Sequence, residues 1–481
     1  MSPPWLVPDS GTKAGIEHSS KLRYGSALVT DTSQLEWLTV LSFLPATMDS
    51  SRQAKAARQA LTHVAEHLNA RFSVRLWDGT ILPMGEQADP NLCVVIQSPG
   101  VIGSLLRRPT LENLVRLYAT GGIDIEGGDL IAFGEAARVE RSSKRLKQIS
   151  KGLLVRSALP FFFSRAEATQ TRHGYAGEEI GRGNVDRDNK DYIQFHYDLG
   201  NEFYKLFLDP ELQYSCGYFT DWNNSLEQAQ RDKLEMICRK LRLQPGDRFL
   251  DIGCGWGGLV CHAARNFGVT AHGVTLSQEQ HDFAVEKVKR LGLADRVTIE
   301  LRDYTTLDSQ YDKIASIGMY EHVGIANYPT YFQKIYSLLR DRGILLNHGI
   351  TRGAKRKKKQ FARMRPEHKL IAKYIFPGGE LDHIGHTLEV MESCRFDVHD
   401  VENWREHYAL TTRFWCQRLA AHKEEAIDQV GPERYRLWAA YLAAVSFAFT
   451  DGSLRIFQVV ASKHAKKGGS ELPPTRSDLY R

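Results

Sequence analysis

The chain has 481 residues, 42% hydrophobic and 25% charged, with a formal net charge of +6. That length exceeds one ordinary core and suits two domains or one large elaborated one, and the composition excludes a disordered or fibrous chain. No apolar run approaches the roughly 18 residues needed to cross a bilayer; the nearest, Trp438 to Phe449, is broken by Ser446 and reads as a buried helix.

Residues 1–50 open on Met1-Ser2-Pro3-Pro4-Trp5, with neither a basic start nor a continuous apolar stretch, and predict a partly disordered tail without a secretory signal. The seven cysteines (93, 216, 238, 254, 261, 394 and 416) form no CxxC pair and no Cys/His cluster at zinc spacing, which predicts no metal site and suits a reducing cytoplasm. Residues 51–164 predict a compact α+β domain. Ala57, Leu61, Val64 and Leu68 share one face of a helix from Ser51 to Asn69. Phe72 to Trp77, closed by Asp78-Gly79, and Leu92 to Gln97 read as strands. Helical stretches from Gly103 to Tyr118 then lead into the glycine-punctuated segment Gly121 to Gly128. Residues 165–190, rich in Gly, Arg, Asp and Glu and poor in aliphatic residues, read as an exposed linker.

From 191 to 481 strands and helices alternate, the mark of an α/β domain. Arg248 to Gly253 is a first strand, Gly258 to Phe267 its helix, and Val269 to Thr275 a second strand. Ser277 caps the next helix, with Gln280 three residues on to complete a capping box. Val297 to Leu301, Asp312 to Gly318 and Gly343 to Ile350 are further strands, and tails near Asp397 to Val401 and Ile456 to Ala461 complete a seven-stranded sheet.

The sharpest local signal is Leu250-Asp251-Ile252-Gly253-Cys254-Gly255-Trp256-Gly257-Gly258, an apolar strand delivered into a turn where side chains would obstruct a ligand. Such a turn serves a dinucleotide equally well, or no ligand at all. Asp251 two residues ahead of the first glycine makes the pattern D-x-G-x-G-x-G, which resembles the S-adenosylmethionine loop of Rossmann-like methyltransferases. The second strand ends in Gly273-Val274-Thr275-Leu276-Ser277 where those enzymes often place an acidic ribose ligand.

Several segments together resemble the cyclopropane-fatty-acyl-phospholipid synthases and mycolic acid cyclopropane synthases. They are His196-Tyr197-Asp198-Leu199-Gly200-Asn201, Tyr214-Ser215-Cys216-Gly217-Tyr218-Phe219, the glycine loop, Thr275-Leu276-Ser277, Ser316 to Gly324, and Phe376-Pro377-Gly378-Gly379, in family order from about residue 190 to 465. Ile123-Asp124-Ile125-Glu126-Gly127 resembles the extra lipid-binding domain of the phospholipid-acting members. The resemblance implies a Rossmann-like S-adenosylmethionine methyltransferase domain behind a smaller α+β domain. It also implies an enzyme that methylenates cis double bonds of phospholipid acyl chains through a carbocation. Methyl or methylene branching of the acyl chain, amine N-methylation and non-catalytic lipid binding remain as alternatives.

By the same resemblance, Tyr214, Ser215, Asp251, Gly253, Gly255, Gly257, Thr275, Leu276, Gln280, Asp303 and Tyr304 bind the cofactor. A bicarbonate ion, held by Cys216, Glu321, His348, Ile350 through its backbone, and Tyr408, takes the methyl proton; Gly349 stands where the family has threonine. A hydrogen carbonate both donates and accepts, which suits so mixed a donor set. Tyr197, Phe203, Tyr204, Phe207, Tyr214, Tyr218 and Phe219 offer ring faces to a cation; most of them are expected in the core, and Tyr214 on the cofactor side. Two basic groups, Arg352 to Arg365 and Arg138 to Lys151, the second followed by apolar Leu153 to Val155 and Leu159 to Phe163, predict peripheral contact with an anionic membrane at its inner face. No nucleic-acid-binding motif is present to claim those charges. The oligomeric state, a homodimer included, stays open.

Overall fold

The computed structural model describes residues 50–138, 150–162, 164, 199–355, 366–376, 379–465 and 467–480. The expected tail (1–49), the linker (165–190), His196-Tyr197-Asp198, Phe163, Pro377-Gly378, and residues 141–147 and 356–365 of the basic groups lie outside the described residues.

Helix α1 (Ser50–Leu68) buries Ala54 and Ala57 beside a small sheet. That sheet contains β1 (Ser73–Arg75), β2 (Ile81–Pro83), β3 (Cys93–Ile96) and β4 (Ile123–Glu126) in the order β2-β1-β3-β4. Phe72, Val74, Leu76, Met84 and Leu92 form its core. The Asp78-Gly79 turn is a hairpin whose far strand, β2, the sequence pattern did not announce; it pairs antiparallel with β1. Helices α2 (Pro99–Arg107), α3 (Leu111–Ala119) and α4 (Leu130–Ala137) follow, with Thr110 and Asp129 capping the last two by accepting from Asn113 N and Ala132 N. Helix α5 (Lys151–Ala158) closes this part.

Beyond the short α6 (Asn201–Lys205) and the long α7 (Leu226–Leu241) lies the larger sheet. Its strands are β5 (Arg248–Ile252), β6 (Thr270–Thr275), β7 (Val297–Leu301), β8 (Tyr311–Ile317), β9 (Leu339–Arg352), β10 (Phe396–Asn403) and β11 (Leu454–Lys463). The order is β10-β11-β9-β8-β5-β6-β7, the mixed seven-stranded sheet expected of this α/β part. Strands β7, β6, β5, β8 and β9 are parallel, and β11 runs antiparallel to both β9 and β10. The parallel strands are covered on both faces, which is why Phe249, Leu250, Ile314, Ala315, Leu345 and Leu346 are fully buried. The chain leaves β5 toward β6 on one side and returns to β8 on the other. This reversal of strand order opens a crevice at the carboxyl ends of β5 and β8.

The helices around the sheet are α8 (Gly258–Phe267), α9 (Gln278–Arg290), α10 (Tyr320–Val323), α11 (Tyr328–Leu338), α12 (Pro366–Tyr374), α13 (Ile384–Ser393), α14 (Arg405–Ala421), α15 (Lys423–Val430) and α16 (Pro432–Thr450). The apolar run Trp438 to Phe449 lies in α16, where Trp438, Leu442, Val445 and Phe449 are buried.

The two sheets belong to one unit, residues 49–481. Helices α3 and α4 pack on α16. Around that contact run the ion pairs Arg436–Asp124 (2.7 Å), Arg413–Glu135 (2.5 Å), Arg138–Asp451 (2.6 Å) and Lys373–Glu112 (2.8 Å). Gly134 sets the spacing of α4 against α16, because a Cβ there would lie 2.2 Å from Phe447 Cε2. Gly134→Ala is therefore expected to lower stability in urea melts by about 1–3 kcal/mol, the overpacking outweighing alanine's helix preference. In a Phe447→Ala background the same change becomes neutral or stabilising.

Candidate active site

The glycine loop takes the shape its residues predict. Gly253 (φ 77°) and Gly255 (φ 55°) sit in the left-handed region, and the N–H groups of Gly253 and Cys254 both donate to Val274 O at 3.0 Å. Gly257 (φ 76°) has a different duty: a Cβ there would lie 3.1 Å from Ala284 Cβ, so it permits close packing of α9. On β6, Thr275 Oγ1 donates to Gln280 Oε1 (2.9 Å) and accepts from Ser277 N (3.2 Å). Ser277 caps α9 as expected, but the capping box is only half formed. Gln280 turns to Thr275, and Thr275 satisfies the Ser277 N–H that Gln280 was expected to reach.

A cavity of about 120 Å³ is lined by Tyr214, Ser215, Asp251, Gly253, Gly255, Thr275, Leu276, Gln280 and Tyr304, nine of the eleven residues expected at the cofactor. Gly257 and Asp303 do not line it; Asp303 instead caps the 3-10 turn Tyr304–Thr306 by accepting from Thr305 N at 2.8 Å. Burial raises the Asp251 carboxyl above the usual range, against the pull of the Lys233 cation.

A second cavity of about 760 Å³ holds Cys216, Glu321, His348, Ile350 and Tyr408 on its wall, all five residues expected at the base. Tyr214, Ser215, Gly318 and His322 line both cavities, so the two meet there. Glu321 Oε1 accepts the Ile350 N–H at 2.6 Å. The Ile350 amide is thus taken up by Glu321 and orients that carboxyl, rather than standing open to an ion as expected. Glu321 Oε2 and His348 Nε2 are buried and have no hydrogen-bond partner among the described residues. Burial raises the Glu321 carboxyl to about 7 and holds His348 well below its ordinary range. Burial also pushes the Cys216 thiol up, which favours its neutral form.

Gly349 has a local cause: a Cβ there would lie 1.8 Å from Tyr320 Cε1, and the Tyr320 hydroxyl donates to Ile350 O at 3.2 Å. The ring lies where a larger side chain would point. Of the seven aromatic residues between 197 and 219, Tyr214 alone of the described six lines either cavity. Phe203, Tyr204 and Phe207 are fully buried core, while Tyr218 and Phe219 stack against Trp404 and His407. Besides Tyr214, the large cavity is lined by the aromatic rings of Tyr408, Tyr441 and Phe376.

The sequence reading missed several residues. His322 lines both cavities, and burial lowers it to about 4, leaving it neutral. Gln230 and Lys233 of α7 clamp the segment that separates the cavities. Gln230 Nε2 donates to Gln213 O (3.2 Å) and Ser215 O (3.0 Å), and Lys233 Nζ to Gln213 Oε1 and to Ser215 Oγ (3.1 Å). A signal was available: Gln230, Lys233, Ile237 and Lys240 recur at i, i+3, i+7 and i+10, the spacing of a buried helix face.

Residues 185–459 match the model of the mycolic acid cyclopropane synthetase family. The chain belongs to that family. It is an S-adenosylmethionine-dependent methyltransferase. A probable fatty acid methyltransferase of Pseudomonas putida is 36% identical over 422 residues, covering 86% of this chain and 98% of that one. The cyclopropane-fatty-acyl-phospholipid synthase of Escherichia coli K12 is 42% identical over 273 residues, 57% of this chain and 68% of that one. Among solved structures, the mycolic acid cyclopropane synthase CmaA1 complexed with SAH and CTAB matches with a TM-score of 0.54 and 33% identity, over 57% of this chain and 98% of that one.

In the folded chain Glu321 keeps its proton to about pH 7, whereas unfolded it ionises in the ordinary carboxylate range. Its contribution to stability is therefore complete at acid pH and is lost as pH rises through about 7. Glu321→Gln cannot ionise. Relative to wild type it is expected to gain stability as pH goes from about 5 to about 8, by up to about 3 kcal/mol in denaturant melts of the ligand-free protein. A difference that stays constant over that range would show Glu321 ionising normally.

Proposed function

We propose that this enzyme adds a methylene bridge across cis double bonds of phospholipid acyl chains, forming cyclopropane rings. The observation that carries the reading is the pair of orphaned buried atoms, Glu321 Oε2 and His348 Nε2, on the wall of a large cavity that meets the smaller one at the glycine loop. Buried polar atoms rarely stay unpaired, and a donor and an acceptor on one wall suit a hydrogen carbonate.

When bound on the glycine loop, S-adenosylmethionine supplies an electrophilic methyl group. A hydrogen carbonate beside Glu321 and His348 supplies a base for the proton that must leave that methyl carbon before the ring closes. The chain's own residues do the rest. Ile350 N–H orients Glu321, whose free oxygen accepts a proton from the site, a role suited to a carboxyl raised to about 7. Tyr408, Tyr441 and Phe376 line the space for the acyl chain, where a ring face turned to positive charge is worth about 2 kcal/mol when desolvated. Ile371, Leu381, Val445, Leu454 and Ile456 give the same cavity an apolar stretch of wall, suited to an acyl chain.

Membrane delivery belongs to the same proposal. Among the described residues no helix is long and apolar enough to cross a membrane. Val155 (64% exposed), Leu159 (64%) and Phe162 (58%) are apolar side chains turned outward, and Arg352 and Lys355 line the large cavity. Together they support peripheral docking on an anionic leaflet. The CmaA1 complex with CTAB, a long-chain cation, supports the binding of a long alkyl chain by this fold.

A second reading, methyl branching of the acyl chain, is favoured by the fatty acid methyltransferase of Pseudomonas putida, which matches nearly end to end. Incubation with vesicles of unsaturated phospholipid and methyl-labelled S-adenosylmethionine separates the two. Label in lipid with the shielded proton signals of a cyclopropane is expected; label in a branched chain supports the second reading, and unlabelled lipid overturns both. Glu321→Gln and His348→Ala should each lower the rate at least about a hundredfold.

A further inference from the structure

Strand β11 places Gln458 directly opposite His348 of β9. Both side chains are buried, and Gln458 Nε2 lies 2.9 Å from His348 Nδ1. A glutamine amide has one donor end and one acceptor end, and its neighbours decide which points where. Here the decision comes from α7. Lys240 Nζ lies 2.7 Å from the other end of the Gln458 amide. An ammonium can only donate, so that end is the oxygen. The NH₂ end therefore faces His348 and can only donate, which leaves the lone pair of the imidazole on Nδ1 and its proton on Nε2.

That protonated nitrogen is the orphan on the cavity wall. Lys240 is held in turn. It contacts Glu402, and its ammonium lies 5.2 Å from the centre of the Trp404 ring, which packs nearly perpendicular to the His348 ring with centres 5.3 Å apart. Burial, together with the cations of Lys233 and Lys240, keeps His348 neutral, so it has one N–H and not two.

We infer that Lys240 and Gln458 are positioning residues that lock His348 as the Nε2–H tautomer, so that it presents a hydrogen-bond donor to an oxyanion in the large cavity. The last clause rests on the proposed reading of that cavity; the tautomer itself does not. The side of the imidazole that meets the ligand is thereby set by a lysine that lines neither cavity.

The test uses full-length, ligand-free protein labelled with ¹⁵N in histidine, with His348 assigned by the signals missing from His348→Asn. Two-bond proton–nitrogen correlation spectra are expected to show a protonated Nε2 and a bare Nδ1 in wild type. Gln458→Glu, which puts an acceptor opposite Nδ1, should move a proton onto that nitrogen. Lys240→Met should allow the amide to turn and mix the two patterns, while Lys240→Arg, which still only donates, should keep the wild-type one. In turnover, Gln458→Glu should raise the KM for added hydrogen carbonate about tenfold or more, as expected for loss of a hydrogen bond to a charged group, with the KM for S-adenosylmethionine nearly unchanged. A proton on Nδ1 in wild type, or an unaltered ring pattern in Gln458→Glu, overturns the inference. The expected ring patterns without any hydrogen carbonate dependence would uphold the relay and overturn the oxyanion reading of the cavity.

Discussion

An ammonium group taken out of water is penalised by several kcal/mol unless its donors are matched, and α7 carries two, Lys233 and Lys240, both buried. The need to match them organises the centre of the molecule. Lys233 draws Gln213 and Ser215 onto α7 and so fixes the strip between the two cavities. Lys240 draws Gln458 and Glu402 and so ties β11 and β10 to the same helix. If either cation were released, the segment it holds would lose its main polar anchor, and the site would lose one wall.

This anchoring brings together groups of opposite preference. A sulfonium donor requires polar backbone and a shaped loop, whereas an acyl chain requires a dry apolar slot. On the proposed reading, Gly253, Gly255 and the Thr275–Gln280 pair meet the first need at the carboxyl edge of β5 and β6. In the same reading the C-terminal helices meet the second, with Tyr408 from α14 and Tyr441 and Val445 from α16 on the wall of the large cavity. Tyr214, Ser215, Gly318 and His322 stand where the two environments touch. The α+β part bears on this directly, since α3 and α4 pack against α16, whose Tyr441 and Val445 line the slot.

Local chemistry made much of the site legible beforehand. A glycine loop after an apolar strand, a serine at a helix start and the Thr-Leu-Ser turn each announce themselves within ten residues, and β5, α8 and β6 formed within a residue of expectation. Partner choice was not legible. Gln280 has the right spacing for a capping box, yet Thr275 is closer to its amide. The Ile350 N–H was available on paper, yet Glu321 takes it. The rings of Phe203, Tyr204 and Phe207 pack in the core, as expected for most of that aromatic segment, and Tyr214 is the one that reaches the cavities.

The strands of the larger sheet and the glycine loop were thus legible from spacing along the chain, and the candidate base residues from the family resemblance. Which ring lines the slot, which amide serves which carboxyl, and which nitrogen of His348 carries a proton were decided only by tertiary structure. Those outcomes depend on pairs such as Gln458 and His348, 110 residues apart, whose competition for hydrogen bonds begins only once the sheet has closed around them.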